Sequence, residues 1–344
     1  MSVSINSEKK GLLLLNLGTP DSTSVADVRR YLQEFLMDGY VIDINPILRF
    51  LLVHGIILRT RPKKSAEAYK KIWTDRASPL LFHSQDLTAS VQKIMPEYVV
   101  ELAMRYGNPS IESALKKLKA AGVTTVLAAP LYPQYALAST ESSIQKIKQQ
   151  AQKIMPEVQL NFYPAFYEHP KYISAVASTG ATLTPQFKPD YYLMSFHGVP
   201  ERHVKKTDLT AQHCLAHKNC SDQITEANKN CYRAQSYATA RALAAQLGLK
   251  PDQWSVAFQS RLGVTAWITP YTDVVLKELA NKGVKRLAVF CPSFVADCLE
   301  TLEEIKIRAR EDFIQFGGED LLLIPSLNSN PDWVEALSSM LQEN

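Results

Sequence analysis

The sequence predicts an α/β protein built from two similar doubly wound, Rossmann-like lobes, each with a parallel sheet, separated by a cleft. Three observations lead there. Apolar runs of four to eight residues alternate with amphipathic helical patterns, and strands buried on both faces of a parallel sheet read as such continuous runs. The length, 344 residues with 46% apolar composition, supplies about two domains and ample core. The halves also resemble each other: ALKKLKAAGVTTVLAAPLYPQYALASTES matches VLKELANKGVKRLAVFCPSFVADCLETLE at an offset of about 160 residues, the signature of a duplicated unit.

In chain order, the polar start MSVSINSEKK leads into GLLLLNLG, the first strand. GLLLLNL is too short for a signal peptide and lacks a small-residue cleavage site, so no export is expected. The turn NLGTPDS carries neither GxxxxGK[ST] nor GxGxxG, so a nucleotide site is not expected there. ILRFLLVHGIIL follows, interrupted by Arg49 and His54 and flanked by Arg59, Arg61, Lys63 and Lys64. It reads either as an apolar lip against a membrane surface or greasy ligand, or as an ordinary core helix. No run approaches the ~18 apolar residues of a bilayer span. The remaining strand runs are VVELAMRYG, TTVLAAPLYP, VQLNFYPAF, DYYLMSFHG, WSVAFQSRLG and KRLAVFCPSF. In the matching halves an amphipathic helix stops at a glycine, Gly122 or Gly283, a strand follows, and a proline ends it. The expected division is residues 1–160, residues 161–325 with a cysteine-rich insert at 207–236, and a helix at 326–344 packing back on the body. A net charge of +4 with mixed signs argues against nucleic acid as a partner.

Ligands of doubly wound sheets sit beyond the carboxyl ends of the strands, so the polar residues there are the candidates. DYYLMSFHGVPERH delivers His197 at a strand end, and Gly198 and Pro200 turn the chain away. Imidazole there can accept a proton or bind a metal. VFCPSFVADCLETLEE carries Asp297, Glu300, Glu303 and Glu304 straight out of another strand. Read as an α-helix, the spacing puts Asp297, Glu300 and Glu304 on one face. That face is either solvated, balanced by Lys306, Arg308 and Arg310, or a site for cations and protons. The first half supplies Asn16, Thr19, Arg59, Arg61, Tyr69, Ser78, Arg105, Tyr132 and Tyr135. Arginines and hydroxyls suit carboxylates and tyrosines suit a flat ring, which together describe an amphipathic aromatic acid as ligand. The structural reading makes the arginines ion pairs and the tyrosines core.

At these residues the chain resembles the ferrochelatases, enzymes that insert ferrous iron into a porphyrin. The matching segments are NLGTP, RTRPKKSAEAYKKIW, MRYGNPSI, PLYPQYALAST, SFHGVPERH, FQSRLG, AWITPYTD and CPSFVADCLETLEEI, in order along almost the whole chain. The resemblance implies a chelatase-like fold, with His197 and Glu300 as the catalytic and iron-binding pair. Asp297 and Glu304 would continue an acidic path. Arg59, Arg61, Tyr69, Ser78 and Arg105 would lie on the side that receives porphyrin carboxylates, the RTR run leaving its arginine ambiguous. Tyr132, Trp267 and Phe294 would line the macrocycle. Leu17 stands where coproporphyrin-metallating relatives tend to carry tyrosine, which favours protoporphyrin IX. The implied rivals are a chelatase for another tetrapyrrole or metal, coproporphyrin III or cobalt among them, and a non-catalytic porphyrin or haem carrier. The expected location is cytoplasmic, with peripheral membrane contact at most and contact with neighbouring haem-pathway proteins.

The insert holds Cys214, Cys220 and Cys231, with His213 and His217 nearby. Such spacing in a cytosolic protein points to a metal rather than disulfides. Relatives with such an insert resemble carriers of a 2Fe-2S cluster on four cysteines, but here Ser221 and Ser236 stand where more cysteines would be expected. A cluster would need a histidine, a serine or a distant cysteine as its fourth ligand. A zinc-binding or degenerate loop is the alternative.

Overall fold

The computed structural model describes residues 9–343 apart from 262 and 264. Most of the leading MSVSINSEKK stretch and Leu262 of the WSVAFQSRLG run therefore lie outside the described residues. Two four-stranded parallel sheets form the frame, and the first has the order β2-β1-β3-β4. Its strands are β1 (Lys10–Thr19), β2 (Tyr98–Gly107), β3 (Thr125–Pro130) and β4 (Gln159–Phe162). The second contains β5 (Tyr191–His197), β6 (Trp254–Gln259), β7 (Arg286–Phe290) and β8 (Asp320–Leu323), in the order β6-β5-β7-β8. The identical order is the duplication made visible. The strand β8 was not among the predicted runs, because DLLL is a four-residue edge whose pattern does not stand out from its neighbours.

The four leucines of β1 are fully buried, and they divide by parity as a pleated strand requires. Leu12 and Leu14 join a core with Met194, Phe196 and Phe290 of the second sheet, while Leu13 and Leu15 face helices on the outer side. One shared core thus joins the inner faces of the two sheets, and each outer face has its own. The helix Pro331–Gln342 adds Trp333 and Met340 to the shared core.

The duplication extends to the site. The sequence match sets Ala129 of β3 level with Phe290 of β7, and the registers pair these with Leu14 and Met194. Counting on three residues brings the turn Leu17-Gly18-Thr19-Pro20 level with His197-Gly198-Val199-Pro200. Both turns need glycine for the same reason. A Cβ on Gly18 would come 1.8 Å from the Tyr106 carbonyl oxygen of the neighbouring strand, and one on Gly198 would come 2.7 Å from that of Gln259. Each lobe also carries a π-helix at the matched place, Leu137–Glu141 and Glu300–Ala309. Such helices are rare and concentrate at functional sites.

Candidate active site

His197 ends β5, and its backbone N–H donates to Ser293 Oγ at 3.1 Å. Its Nδ1 lies 2.5 Å from the Gly198 carbonyl oxygen. A carbonyl only accepts, so Nδ1 carries the ring proton and Nε2 is left with the lone pair that takes a proton or a metal. The ring leans on Phe294, centroids 6.1 Å apart. Trp267 pairs with Pro200 through an antiparallel bridge, and its ring edge lies beside Gly198. His197, Trp267 and Phe294 therefore come together.

Glu300 opens the π-helix Glu300–Ala309. Gln259, which sequence reasoning did not single out beyond its motif, joins it to the histidine strand. Gln259 Nε2 donates to the Glu300 carbonyl oxygen at 2.8 Å, and Gln259 Oε1 accepts from Ser195 Oγ, two residues before His197, at 2.7 Å. Glu300 faces the first lobe. Burial lowers the pKa of Arg61 while the Glu300 charge opposes that shift, and burial followed by Glu300 raises Tyr69 far above the usual phenol range. Tyr31, also missed at the sequence level, is buried there and raised for the same two reasons together with Tyr69. Leu17 packs against the cluster that holds Tyr31 and Tyr69, as do Leu299 and Leu302, which flank Glu300. Nearby, Thr19 Oγ1 donates to Ser78 Oγ at 2.9 Å and Asn16 Nδ2 to Ser84 Oγ at 3.2 Å. Of the two arginines in the RTR run, Arg61 is the one beside Glu300, and Arg59 is exposed.

Several sequence expectations need correcting. Asp297, Glu300 and Glu304 do not share an α-helical face. Asp297 precedes the helix, and its carboxylate accepts from Thr301 Oγ1 (3.0 Å), Asn328 Nδ2 (2.8 Å) and the Ser326 N–H (3.3 Å). Its role in this structure is to tie a loop. Glu304 accepts from the Ser260 N–H at 2.9 Å and from the Ser260 hydroxyl. Glu303 is buried between Lys71 (3.2 Å) and Arg308 (2.8 Å). Its reach to a residue five positions on suits the wide turns of a π-helix. Arg105 is committed to Asp38, a buried carboxylate that also accepts from the hydroxyls of Tyr106 and Ser142, so it does not stand open for a porphyrin carboxylate. Tyr132 is buried with its hydroxyl 3.3 Å from Ser143 Oγ, and Tyr135 donates to Glu141 at 2.9 Å.

The lip is surface, not core. Ile47, Leu48, Phe50, Leu51 and Ile56 are between 52% and 70% exposed. Among the described residues no helix is long and apolar enough to cross a membrane.

In the insert, Asp208 folds the loop by accepting from the N–H groups of Thr210, His213 and Cys214 at 2.9, 2.7 and 2.6 Å. Burial raises the Cys214 thiol, which shares a hydrogen bond with Cys231, and Cys220 Sγ accepts from the Leu215 N–H at 3.3 Å. Of the other candidate ligands, Ser221 Oγ lies 3.7 Å from Cys220 Sγ. Ser221 Oγ accepts from Arg233 (2.7 Å), Ser236 Oγ donates to the Tyr232 carbonyl (2.9 Å), and His213 Nε2 faces the Cys220 carbonyl and Asn228. Among the described residues no group of three or more His, Cys, Asp or Glu side chains is gathered as a metal would require.

Comparison with known proteins points to one family. The family model described as ferrochelatase matches residues 9–344. The ferrochelatase of Stutzerimonas stutzeri is 50% identical over 96% of this chain and 96% of its own. That of Coxiella burnetii is 47% identical over 98% of this chain and 95% of its own. That of Pseudomonas aeruginosa is 49% identical, covering 96% of this chain and 97% of its own. Among solved structures, SirB from Bacillus subtilis with Fe3+ superposes with a TM-score of 0.54 at 12% identity, covering 97% of this chain and 95% of its own. At that identity the likeness establishes the two-lobed fold.

Proposed function

The chain belongs to the ferrochelatase family, and from that premise we propose that it inserts ferrous iron into protoporphyrin IX, releasing two protons, with His197 and Glu300 as the working pair. The observation that carries the assignment is the Gln259 link, which fixes the turn of His197 relative to the start of the π-helix at Glu300. Two pyrrole N–H protons must leave as iron arrives. His197 Nε2, holding the ring's lone pair, is suited to accept them. Glu300 is the carboxylate suited to hold the cation or pass the protons on. Arg61, Tyr69 and Ser78 form the side that receives the porphyrin carboxylates, while Leu17, Trp267 and Phe294 supply the apolar surface for the ring. Glu304, on the same helix, continues the acidic path. Binding energy from ring and carboxylates offsets bending of the macrocycle, which exposes its nitrogen lone pairs.

The remaining assignments rest on single features. Residues 1–160 and 161–325 are read as the two lobes and 326–344 as a strap across them. The exposed lip supports peripheral contact with a membrane from the cytoplasmic side. The insert is read as a protein-only knot, because Asp208 gathers three of its backbone N–H groups while Ser221 bonds to Arg233 and His213 to Asn228.

The test is anaerobic: ferrous iron and protoporphyrin IX are mixed with the protein, and the visible bands of the free base are followed beside His197→Ala. Wild type should convert them to those of haem, with His197→Ala slower by about 10²- to 10⁴-fold, the range for a general base. Porphyrin bound tightly but left metal-free by both would support a carrier. Preference for coproporphyrin III or cobalt would reassign the substrate.

A further inference from the structure

The Asp43 carboxylate sits at the foot of the lip, two residues before Asn45, whose side chain caps the lip helix Pro46–Leu52. It comes from the first lobe yet is surrounded by the second. Lys206 Nζ donates to it at 2.6 Å, Arg202 Nε donates to its other oxygen, and His203 Nε2 lies 3.4 Å away. Those three belong to the short helix Glu201–Lys206, which leaves the turn carrying His197. The Asp43 side chain is only 10% exposed. The imidazole of His203 is 4% exposed and makes no full hydrogen bond through either ring nitrogen among the described residues. Burial pushes the Asp43 carboxyl up, but Lys206 and Arg202 outweigh it and hold the group at about 2.

The contact reaches both ways along the backbone. Towards the lip, Arg49 Nη1 donates to the carbonyl of Ile42, the residue before Asp43, at 3.0 Å. Towards the site, the Glu201 N–H donates to Ala266 O at 2.9 Å and the Ile268 N–H to Val199 O at 3.1 Å, fixing the helix start beside Trp267.

We propose that Asp43 is a positioning residue that clasps the foot of the apolar lip to the helix leaving the His197 turn, so that the ring's cover and its proton acceptor are set together. An ion pair of little exposure between two lobes is a geometric constraint more than a source of stability. It has no place in the proton path, and this role rests on the porphyrin reading given above.

The experiment compares Asp43→Asn, Asp43→Glu and the double variant Arg202→Gln/Lys206→Gln in full-length protein, with wild type run alongside to show that iron insertion occurs at all. Inactive wild type would sink the enzymatic reading. With active wild type, Asp43→Asn should raise the porphyrin KM by about tenfold with a smaller fall in kcat, and Asp43→Glu should recover most of it. The double variant should match Asp43→Asn, and adding it to Asp43→Asn should change nothing further, the non-additivity of a shared contact. Arg202 and Lys206 are more exposed than Asp43, so their variant is the second route to the comparison if Asp43→Asn does not fold. Unchanged KM in every variant, effects that simply add, or a loss confined to melting temperature and active fraction would each overturn the proposal.

Discussion

The least replaceable atom in the molecule is a missing one, the absent Cβ of Gly18. Gly18 has φ +113° and a carbonyl oxygen 1.8 Å from where a Cβ would stand, and both the oxygen and the turn belong to backbone that cannot swing aside. Gly122 also has a positive φ, +76°, but nothing within 4 Å. The two alanine variants should therefore part widely. Gly122→Ala should lose about 1–2 kcal/mol, the strain of a left-handed residue, while Gly18→Ala should yield no folded protein. Urea melts and soluble yield check this, and equal losses would mean that strain, not the carbonyl, sets the requirement. At the same scale, sequence drew attention to His197, the last residue of β5, and to Glu300, ten residues beyond β7, through the motifs that carry them. It carried no sign that Asp297 and Arg105 are tied to Asn328 and Asp38, 31 and 67 residues away along the chain. A carboxylate's neighbours decide whether it is a site or a tie, and spacing reports only the neighbours on its own segment.

Among the elements, the cysteine insert gives the cleanest test. If Asp208 and the backbone N–H groups it gathers hold the loop, the purified protein should contain no stoichiometric iron, sulfide or zinc in this segment. Cys214→Ser should leave the visible spectrum and iron-insertion rate unchanged while lowering the melting temperature. Acid-labile sulfide with absorption in the 2Fe-2S region, lost in Cys214→Ser, would restore the cluster. Seven of the eight strands were legible because each lies in a largely apolar run of the sequence, which leaves few alternatives. The π-helices were not, since the backbone bonding that widens a turn leaves no mark on the order of side chains. Reading Glu300 to Glu304 as α-helix was the natural inference, and the Glu303–Arg308 pair shows how the wider turn realigns them.

For the molecule as a whole, the contrast between a rigid frame and an exposed lip matters most. The five apolar residues of the lip are flanked by Arg59, Lys63 and Lys64, the composition of a surface that settles into an acidic headgroup layer. Ile47→Ser/Leu48→Ser/Leu51→Ser should abolish sedimentation with phosphatidylglycerol vesicles and leave unfolding by urea nearly unchanged. Wild type that never sediments with such vesicles would leave the lip to the ring alone. Gly198 carries a consequence of another kind. Its turn is pressed under the Gln259 carbonyl, so the imidazole next to it has little angular freedom left to surrender. Its ordering entropy is then spent once, during folding, rather than at each turnover. The activation entropy of the reaction should accordingly reflect the porphyrin and the iron, not the ordering of His197.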